Sequence, residues 1–347
     1  MKINISKKIK IAKKNRPLIV AEISGNHNGN KKSFLQHIKI AKKAGADLIK
    51  IQTYEPSDIT IRSKDKKFQI KNGIWKGKYL WELYKKAHTP FKWHSEAFSL
   101  AKKINIPLFS SPFSERSLQF LAKFNPPLYK IASFEITDLN LVRSIAKKNK
   151  PIIISTGMAS FKEIDRAINE ITKFHKKIII LYCVSGYPTP EDDSNVSAIE
   201  NYKKRYKNYL IGISDHTNDI NSSLAAVALG AKIIEKHFKI SNKIKSTDSE
   251  FSLDYESLKE LRLRSEKVFL SLGKGNKNLR KSEKFSKFLR RSIFANTSIK
   301  KGTKLSRKHI ITKRPLIGAG SEHFFKLLGK KIKKNKKKFE PIFLKDF

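Results

Sequence analysis

Cysteine is all but absent from this chain of 347 residues: Cys183 stands alone, so no intramolecular disulfide can staple the fold. Long apolar runs are missing too. Ile178 to Val184 is among the longest and falls far short of the ~20 residues a helix needs to cross a bilayer. Met1 to Arg16 is basic but holds neither an apolar centre nor a small-residue cleavage site, which excludes a secretory signal in that stretch. The expectation is a cytoplasmic protein with no membrane partner.

Acid is the other shortage. Thirty Asp and Glu face 74 Lys and Arg, giving a formal net charge of +44. Such an excess alone points to nucleic acid or another polyanion. The lysines, however, are spread along every segment as pairs suited to solvent-facing helix positions, such as Lys42 with Lys43 and Lys102 with Lys103; only Lys330 to Lys338 is a dense run. No zinc-finger spacing, RNP-type aromatic motif or basic heptad helix accompanies them. A lineage-wide lysine bias explains the pattern better than a nucleic-acid partner, and a diffuse positive field still draws in small anionic substrates.

What is present is one alternation, repeated. Apolar runs at Leu18–Ile23, Leu48–Thr53, Pro107–Ser111, Leu128–Ser133, Pro151–Ser155, Ile178–Tyr182, Leu210–Ser214 and Ile233–His237 alternate with helical stretches. Those stretches are Lys31–Ala44, Phe91–Asn105, Glu115–Phe124, Asp138–Asn149, Ser160–His175, Val196–Tyr206, Asn218–Gly230 and Asp254–Leu272. Ser160 with Glu163 forms a capping-box signature. Near-continuous Ile, Val and Leu runs are expected of parallel strands buried on both faces. Eight such units in roughly 270 residues give an α/β fold, a (β/α)8 TIM barrel over residues 1–272. Tyr54 to Thr89 is too long for an ordinary connection and reads as a functional loop. Residues 273–289 read as a polar linker, and 290–347 as a small module of short strands and turns.

In a barrel of this kind the C-terminal strand ends carry the active face. This sequence sets polar groups there: Glu22, Lys50, Gln52, Ser111, Lys130, Ser133, Glu135, Ser155, Tyr187, Ser214, His216 and His237. Any one of them is an ordinary loop residue taken singly. Two features go further. His216 and His237 stand at the ends of consecutive strands, where two imidazoles converge and a divalent cation fits between them. Lys50 and Lys130 interrupt apolar strands, and a buried lysine is costly unless an anion accompanies it. With the serine hydroxyls they make a pocket for phosphate and carboxylate together, while Glu22 and Glu135 supply acid–base groups. The residues thus describe a metal-assisted enzyme acting on a small phosphorylated carboxylate.

Specific stretches also carry a resemblance over nearly the full length: AEISGNHNG, KIQTY, FSSPF, YKIASFEITD, IISTGMAS, GISDHT, VALGAKIIEKHF, DSEFSL, RRSIFA and ITKRP. The chain resembles the sialic acid synthase family, which joins phosphoenolpyruvate to an amino sugar. YKKAHTP at Tyr84 to Pro90, Trp93 with His94, and Ala132 to Glu135 (ASFE) resemble its pseudaminic acid branch in particular.

The resemblance implies phosphoenolpyruvate contacts at Lys50, Ser111, Lys130, Ser133, Ser155 and Ser214, and Mn2+ or Mg2+ on His216 and His237. It implies sugar contacts at Gln52, Glu135, Tyr187 and Asp248, with Glu22 near the metal and the sugar aldehyde. The last segment resembles an antifreeze-like (SAF) domain, whose Arg314 reaches the sugar site of the other subunit in a domain-swapped homodimer. The implied product is pseudaminic acid from 2,4-diacetamido-2,4,6-trideoxy-altrose; N-acetylneuraminate or legionaminate synthesis keeps the same catalytic groups. A non-catalytic polyanion-binding protein is the remote alternative, and a sugar-phosphate aldol-type synthase of the same barrel class lacks the terminal module. Val184 to Gly186, Ser246 with Thr247, and Leu316 to Gly320 depart from the family's usual pattern near the sugar.

Overall fold

In a computed structural model that describes residues 2–6, 9–12, 14–273 and 275–347, the chain forms two compact units, Met1–Gly273 and Lys274–Phe347. The first opens with a hairpin of β1 (Lys2–Asn4) and β2 (Lys10–Ala12). Eight parallel strands follow: β3 (Leu18–Glu22), β4 (Leu48–Thr53), β5 (Leu108–Pro112), β6 (Tyr129–Ile131), β7 (Ile152–Ser155), β8 (Ile178–Cys183), β9 (Leu210–Asp215) and β10 (Ile233–His237). They close into a barrel in chain order, with β10 pairing back onto β3.

The helices are α1 (Lys31–Lys43), α2 (Pro56–Ile59), α3 (Leu80–Ala87), α4 (His94–Lys103), α5 (Glu115–Ala122), α6 (Leu139–Ala146), α7 (Phe161–Thr172), α8 (Ala198–Arg205), α9 (Asn221–Ala228) and α10 (Tyr255–Leu272). Local chemistry starts several of them. Asn30, Ser114, Asp138, Ser160 and Asp254 each accept a backbone N–H of the first turn, and Glu163 returns the bond to Ser160. The sequence's strands and helices thus stand where expected. No helix among the described residues is long and apolar enough to cross a membrane.

Two apolar clusters hold this unit. The larger fills the space between strands and helices, where Ile49, Ile51, Ile152, Ile154 and Ile234 meet Phe34, Leu121, Val142 and Ile171. The smaller is the barrel interior, where Leu18, Val20, Leu48, Phe109, Leu128, Ile153, Ile179, Leu181, Leu210 and Ile233 pack against Ile3, Ile5 and Ile11 of the hairpin. Residues 2–6 and 9–12 of the stretch read as a basic arm therefore plug the N-terminal end of the barrel. Their alternation of Ile and Lys puts one face into the core and the other in water. Gly212 is needed for close approach inside the barrel, because a Cβ there would lie 2.5 Å from the Ile233 carbonyl oxygen and 2.6 Å from Leu181 Cδ2.

The second unit contains the antiparallel pair β11 (Ser292–Ala295) and β12 (Ile310–Lys313). Its own small core includes Ile293, Ile299, Leu305, Ile310, Leu327, Ile332 and Ile342. Within the dense basic run Lys336 turns inward, its Nζ 2.8 Å from buried Asp346.

Candidate active site

Strand alternation carries the inward face of the barrel up to a layer of different chemistry. Above the apolar residues each strand turns one more side chain inward: Glu22, Lys50, Ser111, Lys130, Ser155, Cys183, Ser214 and Glu235, in strand order. All eight are buried.

Lys50 Nζ lies 2.6 Å from Glu235 Oε1 and 3.0 Å from Glu22 Oε2, and Lys130 Nζ lies 3.6 Å from Glu235 Oε1. Burial pulls the Lys50 ammonium down to about 8, partly offset by Glu235. Burial would raise the Glu235 carboxyl, but Lys130 and Lys50 outweigh it and hold it at about 2. The layer thus sets the Lys50 and Lys130 side chains against the buried carboxyl groups of Glu22 and Glu235. This amends the sequence argument, which left both lysines in need of an anion from outside. Glu235, the third residue of β10 and two before His237, was the overlooked partner; an acid at an inward position of a barrel strand was the signal.

Over this layer opens a cavity of about 510 Å3. Its lining holds Lys50, Gln52, Lys130, Ser133, Glu135, Ser155, Tyr187, Ser214, His216, His237 and Asp248 from the expected set. Three expected residues lie elsewhere. Glu22 is fully buried below the wall, with Oε1 accepting the Ser24 backbone N–H at 2.7 Å and Oε2 facing Lys50. Ser111 is buried in the layer without reaching the cavity lining. Arg314 belongs to the second unit, exposed directly after β12.

The long insertion supplies much of the apolar wall through Tyr54, Ile59, Ile70, Trp75, Leu83 and Tyr84. Trp75 is fixed by its Nε1–H donating to the Thr247 carbonyl at 3.0 Å, and it packs on Tyr187 and Phe251. These residues went unassigned in the sequence because no strand-end logic reaches into an irregular loop.

The two histidines meet with ring centroids 5.4 Å apart, bracketed by Tyr187 and Phe251. His216 Nδ1 is 2.8 Å from the Val184 carbonyl oxygen, which can only accept. That nitrogen therefore carries the proton and Nε2 keeps a free lone pair. Burial holds His216 at about 4 and His237 well below its ordinary value, so both rings are neutral at pH 7. Neutral imidazoles with an available lone pair are what a divalent cation requires. His237 Nδ1 is buried with no hydrogen-bond partner, and so are atoms of Ser111, Glu135, Ser155, Glu235 and Thr247, while Glu22 Oε2 has only its ion pair with Lys50. Among the described residues only His175 Nε2 shares that condition outside the site. A cluster of unpaired buried polar atoms around one cavity fits a polar or charged ligand.

Glu135 has its carboxyl raised to about 7, mainly by burial, against the pull of Lys130. Asp248 is raised by burial as well, although its Oδ2 accepts the Gly25 backbone N–H at 2.8 Å. Ser133 is fixed by an Oγ–Oγ contact of 2.8 Å with Ser185. Gly157, at φ +48°, makes room for that pair, since a Cβ there would lie 2.5 Å from both.

Comparisons with known proteins show what the whole chain is similar to. Residues 37–277 match the family described as the NeuB family. A pseudaminic acid synthase of Campylobacter jejuni is 43% identical over 91% of this chain and 92% of its own. An N,N'-diacetyllegionaminic acid synthase of the same species is 37% identical, over 94% of this chain and 99% of its own. Among solved structures, an N-acetylneuraminic acid synthetase from Leptospira borgpetersenii superposes with a TM-score of 0.74 at 32% identity, covering 82% of this chain and 95% of that one.

Proposed function

This chain belongs to the NeuB family, and from that premise we propose that it condenses phosphoenolpyruvate with 2,4-diacetamido-2,4,6-trideoxy-altrose to give pseudaminic acid and phosphate. The observation that carries the reading is the charged floor beneath one cavity, Lys50 and Lys130 beside the neutral pair His216 and His237. The greater identity to a pseudaminic acid synthase than to a legionaminic one favours the altrose sugar.

C3 of phosphoenolpyruvate attacks the aldehyde carbon of the open-chain sugar, forming the new C–C bond. Water adds at C2 of the resulting cation, and the C2–O bond breaks to release phosphate. A divalent cation, Mn2+ or Mg2+, on His216 Nε2 and His237 would polarise the aldehyde and orient water. No cluster of three or more His, Cys, Asp or Glu is gathered among the described residues, so His216 and His237 are the side chains that would hold the cation. Lys50 and Lys130 hold the phosphate and carboxylate, assisted by the hydroxyls of Ser133, Ser155 and Ser214. Glu22 and Ser111 act from below, Glu22 by orienting Lys50. Glu135, held near neutrality, carries a proton from the entering water toward the new sugar oxygen. Gln52, Tyr187 and Asp248 bind the sugar, with Trp75 and the insertion covering its apolar groups.

The second unit acts as an antifreeze-like domain, on the strength of RRSIFA and ITKRP, and its exposed Arg314 serves the sugar site of a partner copy in a homodimer. The reaction takes place in the cytoplasm, where phosphoenolpyruvate is made.

Phosphate release from phosphoenolpyruvate with Mn2+ tests the reading, with the altrose substrate compared against N-acetylmannosamine and the legionaminate precursor. Release with the altrose sugar alone is expected. Release only with another sugar would overturn the substrate, and release with none would overturn the reaction.

A further inference from the structure

The two cavity histidines are each preceded by a charged residue that the chemistry above does not use, Asp215 before His216 and Lys236 before His237. Strand alternation turns Asp215 and Lys236 out of the barrel while Ser214, His216, Glu235 and His237 face the cavity. Both are buried, Lys236 completely.

They form one closed set of bonds. Lys236 Nζ lies 3.2 Å from Asp215 Oδ1 and donates to the Thr217 carbonyl at 2.5 Å and to Thr217 Oγ1 at 3.1 Å, which uses all three N–H groups. Asp215 Oδ1 also accepts from Thr217 N and Oγ1, and Oδ2 accepts from Ser223 Oγ at 2.5 Å, tying in α9.

Position gives this set its meaning. The ladder between β9 and β10 ends at the pair Asp215–Lys236. His216 and His237 follow directly, one residue past the last paired position of β9 with β10, although His237 remains paired with Glu22 of β3. Neighbouring outward positions on these strands are Ile213 and Ile234, which pack against the helices. An apolar pair would serve stability at least as well, because a buried ion pair seldom outperforms well-packed hydrophobic residues.

We infer that the buried Asp215–Lys236–Thr217 clasp is a positioning device that sets the separation of His216 and His237 for the cation they share. The inference rests on the metal role proposed above. Outer groups that orient metal ligands typically affect metal affinity or activity by about 10- to 100-fold when removed, and the clasp acts on both ligands through the backbone.

The test uses the full chain carrying Asp215→Asn with Lys236→Met, which removes both charges and leaves no unpaired ion. Free Mn2+ is followed by its paramagnetic resonance signal without substrates, together with the thermal unfolding midpoint and turnover against Mn2+ concentration. The expected result is a folded variant with Mn2+ affinity weakened about 10- to 100-fold, turnover rising again with excess Mn2+, and an unchanged KM for phosphoenolpyruvate. Mn2+ affinity equal to that of the unaltered chain would overturn the clasp. Absence of Mn2+ binding by the unaltered chain would overturn the metal role itself and the inference with it. Should the double variant not fold, Thr217→Val removes only the bridging hydroxyl at equal volume. Weaker Mn2+ binding supports the clasp there, and undiminished binding overturns it.

Discussion

Glu135 offers a prediction in which stability and catalysis move in opposite directions. Its carboxyl is raised from an ordinary value of 4.5 to about 7, chiefly by burial. Between those two values the folded protein binds more protons at this site than the unfolded chain, so its stability falls as pH rises through the window. The gap corresponds to about 3 kcal/mol, fully felt above pH 7 and absent below 4.5. Glu135→Gln keeps the shape and removes the ionisation. Urea unfolding of both proteins at intervals from pH 5 to 8 should show the variant gaining little at the acid end and about 3 kcal/mol at the basic end. Other titrating groups cancel in the difference. The same variant should lose the acidic limb of the pH profile of kcat, because the group that must shed its proton is gone. A gain independent of pH, or none, would refute the burial argument for this residue.

The remaining expectations are simpler. His237→Ala should abolish turnover and Mn2+ binding while leaving the barrel folded by circular dichroism; retained activity would contradict the cation site. Lys50→Met strips Glu22 and Glu235 of their nearest cation and should cost about 3–5 kcal/mol of stability by urea unfolding, with part recovered by adding Glu22→Gln. Arg314→Ala changes an exposed residue, so stability should move by no more than about 0.5 kcal/mol. The KM for the sugar should rise while that for phosphoenolpyruvate holds. Equal effects on both substrates would contradict the cross-subunit role.

The barrel was legible because its strands are nearly pure Ile, Val and Leu and its helices carry explicit caps, such as Ser160 with Glu163. Strand-end logic also located most of the cavity, from Lys50 to His237, since side chains at alternate positions must face one mouth. Three features escaped it. The hairpin plug hides in Ile–Lys alternation that reads equally as a charged arm, and only the open end of the barrel makes burial of Ile3, Ile5 and Ile11 favourable. Glu235, Asp215 and Lys236 went unassigned, because the register that pairs them is a property of the closed sheet. Trp75 and Phe251 come from irregular segments whose paths no periodicity encodes.

The most direct measurement places oxygen-18 in the bridging C2–O position of phosphoenolpyruvate and follows it through turnover with Mn2+ and the altrose sugar. Heavy oxygen in the released phosphate, with release dependent on the sugar, is the expected result. Release without the sugar, or phosphate free of label because the P–O bond broke instead, would contradict condensation at this barrel mouth.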